Sequence, residues 1–142
     1  MALLTSEMGK RRLLTIELPA IERYNEGRDD DFRIVLVKQR DGGLLLRYRL
    51  KPGHNIYELE TVLPAEYPAI PPETRVITKL KTCPHLLSGQ KMCLWKQGST
   101  RTTSRWDASK FTGVFAIQAA WRWLACYEVW FMDGSWPLPE AV

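Results

Sequence analysis

At 142 residues, 45% apolar and 25% charged, the chain has material for one domain with a proper core, and its composition excludes a disordered polyelectrolyte. The net charge of +4 is modest and no Lys/Arg block is interleaved with aromatics, so nucleic acid is not an expected partner. Three cysteines (Cys83, Cys93, Cys126) without a C-x-x-C spacing argue against a disulfide framework or a thiol-disulfide enzyme.

An odd cysteine count and an N-terminus without the charged start and apolar run of a signal peptide make a reducing cytoplasm the expected compartment. Residues 5–26 then read as a helix, with Leu13, Leu14, Glu17, Ile21 and Tyr24 against Lys10, Arg11, Arg12, Glu22 and Arg23. Ser6 is the expected N-cap, and Gly27 with the Asp29-Asp30-Asp31 run marks the end. Pro19 either kinks the helix or splits it. The triplet Lys10-Arg11-Arg12 reads as a solvated face. Residues 32–37 and 44–50 flank Asp41-Gly42-Gly43, a hairpin signal, and residues 56–62 and 74–78 make a third and a fourth strand. Four sequential strands joined by short turns form an antiparallel meander packed on helices. His54, beside the Pro52-Gly53 turn, reads as plain surface.

The stretch from Tyr57 to Cys93 organises the rest. Four prolines within nine residues (Pro64, Pro68, Pro71, Pro72) cannot lie in a helix or a central strand, so they form a rigid bridge between strands. Beyond the fourth strand come Cys83-Pro84-His85 and then Ser88-Gly89-Gln90-Lys91-Met92-Cys93. Residues 79–109 carry little periodicity, which in a compact domain marks a functional segment, and the polar run 98–105 reads as a flap beside Cys93. A single thiol on a loop held by a stiff scaffold suits a nucleophile; the competing reading is a small buried hydrophobe. Asp107 or Ser109 is expected to cap a last helix that ends near Gly134. All six tryptophans fall in the last third, where core packing is their expected use. Residues 111–132 have the length of a membrane span, but Gln118, Arg122 and Glu128 interrupt them, which makes a helix buried nearly all round the better reading. Two isolated histidines and scattered cysteines lack metal-ligand spacing, and no cofactor is expected.

The strand, the Tyr67-Pro68-Ala-Ile-Pro71-Pro72 bridge, the next strand and a Pro-containing tripeptide ahead of Cys93 resemble the ubiquitin-conjugating enzyme core. In that family an Asn stands eight positions before the active cysteine; here His85 holds that place and Cys83 replaces the family's first His. The tail Trp121-Arg-Trp123-Leu-Ala-Cys-Tyr127-Glu128-Val-Trp130, with Gly134-Ser-Trp136, resembles bacterial members, including those encoded in CBASS anti-phage operons. The resemblance covers roughly residues 55–136 and implies a single α+β domain over 1–142 with the ubiquitin-conjugating fold.

It also implies a function. Cys93 would carry the C-terminus of a ubiquitin-like protein, or of a cGAS-like nucleotidyltransferase, as a thioester and pass it to an amine on a target protein. His85 would stand in for the Asn, supporting the loop or donating a hydrogen bond to an oxyanion, while Cys83 would be packing. A basic first helix docks the activating enzyme in that family, and since 142 residues leave no room for an adenylating fold, activation is expected in trans. Asp107 could orient the incoming lysine, against the cheaper reading as a helix cap. The rival to the whole scheme is a binding module: RWD domains resemble this fold and share the proline bridge, and inactive conjugating-enzyme variants act as scaffolds.

Overall fold

A computed structural model of the chain describes residues 3–95 and 106–137. The first helix starts where Ser6 caps it, the Ser6 hydroxyl accepting from the Gly9 N–H at 3.0 Å. α1 (Glu7–Arg12) runs without a break through a π-helical stretch, Leu13–Glu17, into α2 (Leu18–Asn25). Pro19 therefore does not split the helix. Proline has no N–H to offer the preceding turn, and the wider turn ahead of it, closed by Leu18 N–H to Leu13 O, takes up the misfit. Ile21 and Glu17 on the inner face are buried, whereas Leu14 is 65% exposed.

Among the described residues six strands make one sheet in the order β1-β2-β3-β4-β6-β5, all neighbours antiparallel. The expected meander is its first part: β1 (Val35–Lys38), β2 (Leu44–Leu50), β3 (Tyr57–Leu63) and β4 (Glu73–Val76). β1 begins later than expected because Asp30–Phe32 form a 3₁₀ turn instead of strand. In β2 and β3 alternate residues Leu44, Leu46, Tyr48, Leu50 and Tyr57, Leu59, Thr61, Leu63 are buried, the period of two that sets register. The buried hydroxyls among them are paired: Tyr48 with Thr61 at 2.7 Å, and Thr61 with Thr74 at 2.8 Å. The other two strands, β5 (Leu86–Leu87) and β6 (Lys91–Met92), fall inside residues 79–109, where the sequence shows little periodicity. Two-residue strands are too short to carry a visible alternation.

The long helix α3 (Gly113–Asp133) packs on the inner face and ends at Gly134 in the left-handed conformation. Its N-cap is Thr112, whose hydroxyl accepts from Phe115 N–H at 3.3 Å, and not Asp107 or Ser109. Asp107 instead closes a separate turn, its Oδ1 accepting from the backbone N–H and hydroxyl of Ser109. Nor is α3 buried all round. Ala116, Ile117, Ala120, Trp123 and Leu124 are sealed in, while Trp121, Phe131 and Met132 are 46%, 61% and 85% exposed. Among the described residues no helix is long and apolar enough to cross a membrane.

A buried carboxylate ties the two helical elements together. Glu17 is fully buried and accepts from Arg12 Nε (3.0 Å), Tyr67 Oη (2.7 Å) and the Gly113 N–H (2.9 Å) at the start of α3. Arg12 also donates to the carbonyls of Ala108 and Phe111. Arg12 thus leaves the solvated face on which its two basic neighbours, both exposed, remain. Gly113 sits close to the sheet: a Cβ there would meet Leu46 at 3.1 Å and Leu63 at 3.3 Å, so both side chains would have to give by a few tenths of an ångström.

Candidate active site

The site is built from the chain that leaves β4. Its backbone is pinned at once, Lys81 N–H to Tyr127 Oη (3.0 Å) and Leu80 N–H to Gln90 Oε1 (2.9 Å). The Gln90 amide nitrogen donates in turn to the carbonyls of Val76 (2.9 Å) and Thr78 (2.8 Å). One side chain thus ties the strand exit to the turn that precedes the cysteine.

That turn explains the spacing of eight. β5 and β6 pair Leu86 with Met92 and Leu87 with Lys91 around Ser88-Gly89-Gln90, where Gly89 (φ 74°) and Gln90 (φ 60°) are left-handed. One step further along the same register, Cys93 N–H donates to His85 O at 3.0 Å. The two residues singled out in the sequence are therefore brought together by a tight hairpin. His85 is itself left-handed at φ 64°, a conformation that Asn and His adopt more readily than most residues. Its ring packs on Trp136, centroids 5.1 Å apart, and Trp136 packs on the fully buried Trp123. Among the described residues the His85 side chain makes no hydrogen bond to Cys93. The Cys93 amide is spent on the hairpin and is not free to donate to a group held in the groove.

Cys93 lines an open groove of about 440 Å³ together with Ile70, Pro71, Pro72, Leu87 and Trp95. An ion pair of Lys91 and Glu73 stands among the lining residues. The proline bridge forms one wall, with a cis bond at Tyr67-Pro68. Two tryptophans clamp it, Trp95 Nε1–H to Pro72 O (2.9 Å) and Trp106 Nε1–H to Pro68 O (2.8 Å), their rings 5.3 Å apart. The expected flap, residues 98–105, lies outside the described residues. Asp107 does not line the groove, and its carboxylate is held below the ordinary range by the Ser109 hydrogen bonds and Lys110. Cys83 is half-buried against the core, and burial pushes its thiol up to about 11. His54 is exposed. Among the described residues no cluster of His, Cys, Asp and Glu is arranged to hold a metal ion.

Sequence reasoning missed Gln90, Trp95, Trp106 and Trp136. The two indole N–H groups gave a signal, since a partly buried tryptophan needs an acceptor and the prolines leave carbonyls free. Gln90 gave none.

The fold and the groove define a mixed α+β domain that presents one cysteine from a braced hairpin, the layout suited to carrying a group on sulfur. The chain belongs to the family described as type II CBASS E2 protein, which it matches over residues 27–141. Membership brings an E2-like conjugating role in CBASS anti-phage defence, alongside other proteins of that system. A comparison with curated proteins gives no match.

Proposed function

We propose that Cys93 is the acyl carrier of this E2-like protein, accepting the C-terminal carboxyl of a partner protein as a thioester. The observation that carries the reading is the place of Cys93, in an open groove walled by the proline bridge and joined through its own N–H to His85. The donor carboxyl arrives activated as an acyl adenylate made by another protein. The Cys93 thiolate attacks the carbonyl carbon, a C–S bond forms and AMP leaves. A target amine then attacks the same carbon, an amide forms, the thiolate departs and the amine's proton passes to solvent. The donor is a ubiquitin-like protein or a cGAS-like nucleotidyltransferase, and the acceptor a lysine on a target protein. His85 acts on this scheme by holding the hairpin, because its ring is engaged by Trp136.

The test is co-expression of wild type and Cys93→Ala with the genomic neighbours, followed by reducing and non-reducing gels and intact mass. A reductant-sensitive adduct is expected in wild type alone, carrying the mass of a protein less one water. Absence of any adduct, with Cys93 also inert to alkylation, would turn the protein into a scaffold of the same fold.

A further inference from the structure

A cleft of about 670 Å³ opens where the end of α2, the end of β2 and the middle of α3 meet, and it shares no lining residue with the Cys93 groove. Its floor is apolar, with Leu50 and Ile117 buried. Its walls carry Arg28, Arg49, Lys51 and Arg122, and no carboxylate of the described residues lines it. Like charges crowded in one concavity raise a local positive potential that an anion relieves. These cations come from three separate stretches of chain, which is why no basic run announces them.

Two features narrow the anion. Arg28 is pre-set, its guanidinium 3.9 Å from the Tyr24 ring centroid and its Nε donating to Tyr24 O at 2.6 Å, which leaves the terminal nitrogens for a ligand. Trp121 and Phe32 line the same cleft, and the Trp121 indole is nearly half exposed. Cations alone would suit any polyanion. The volume lies within the range of small-molecule pockets, roughly 300–1,000 Å³, whereas a stable protein partner covers about 800 Å² of surface on each side. Guanidinium groups and an exposed indole lining one cleft match a phosphate joined to a planar base. We infer that this cleft binds a nucleoside phosphate, with Arg28, Lys51 and Arg122 on the phosphates and Trp121 against the base.

The full chain would be titrated calorimetrically with ATP, GTP, AMP and inorganic tripolyphosphate at fixed salt, with thermal melts checking that each variant is folded. Saturable binding of a nucleotide is expected, at least about tenfold tighter than tripolyphosphate because the base adds stacking. Arg122→Ala should weaken it about tenfold by removing a charge-assisted contact, and Trp121→Ala should erase the advantage over tripolyphosphate. Cys93→Ala should bind as wild type does, so this inference stands or falls apart from the thioester. No saturable nucleotide binding overturns it, as does tripolyphosphate binding as tightly as the nucleotides, or binding that survives both cleft substitutions. Displacement of bound nucleotide by an acidic peptide of equal or higher affinity would hand the cleft to a protein partner and likewise overturn it.

Discussion

The three thiols of the chain occupy three environments, and those environments rank their reactivity. Cys93 and Cys83 are both partly buried, but Cys93 lines an open groove whereas burial pushes the Cys83 thiol up to about 11; Cys126 is buried with its thiol raised by desolvation against the pull of Arg122. Alkylation needs the thiolate. At pH 8 a thiol with a pKa near 11 is ionised to only about 0.1%. Iodoacetamide at pH 8, followed by peptide mass mapping, is therefore expected to label Cys93 first. Cys83 should lag at least about tenfold and catch up only as the pH passes about 10. Labelling of Cys83 or Cys126 ahead of Cys93 would remove the case for Cys93 as nucleophile. His85 and Cys93 were singled out in the sequence only by a spacing of eight that matches a family pattern; the hairpin that pairs them was not legible, because its two-residue strands carry no visible alternation. What the His85 ring does was not legible either, since its partner Trp136 lies some fifty residues further on and no periodicity links them.

Among the elements, the contact between the first helix and α3 depends on Glu17. Three donors converge on one buried carboxylate, and burial beside that charge drives the Tyr67 hydroxyl far above its ordinary range, so it stays a donor at every working pH. Glu17→Ala would leave Arg12 in a half-buried position without its anion and the first amide of α3 without an acceptor. Breaking a buried pair from one side costs about 3–5 kcal/mol. Glu17→Gln keeps an acceptor for Gly113 and should cost less. Urea denaturation of both variants measures this, and a loss under about 1 kcal/mol for Glu17→Ala would show that water replaces the carboxylate. The sequence placed Glu17 on the apolar face of its helix, a charge out of pattern, but its partners Tyr67 and Gly113 are remote in the chain and invisible to helical spacing. The same limit explains the displaced cap of α3. Asp107 and Ser109 are good cap residues by type, yet the helix starts where Glu17 and the sheet receive it, at Thr112 and Gly113.

For the molecule as a whole, the open question was how α3 sits, because its composition reads as apolar on every side. The strands of the meander were legible, since alternation and the Gly-Gly turn are strong local signals, and the proline bridge was legible because proline forbids so much. The orientation of α3 was not: with apolar residues all round, no stripe names the buried side, and only the sheet's inner face decides it. The structure seats Trp123 at the centre, fully buried and stacked on Tyr127, and turns Met132 out to 85% exposure. Two substitutions on one helix should therefore differ sharply. Trp123→Ala removes a large side chain from a packed interior and should cost about 3–5 kcal/mol. Met132→Ser touches little and should fall within about 0.5 kcal/mol of wild type. Chemical denaturation of the pair checks the seating directly. Comparable losses would mean that α3 is covered on both faces, by a second protein or a second copy, and Met132→Ser would then also shift the oligomeric state measured by sedimentation.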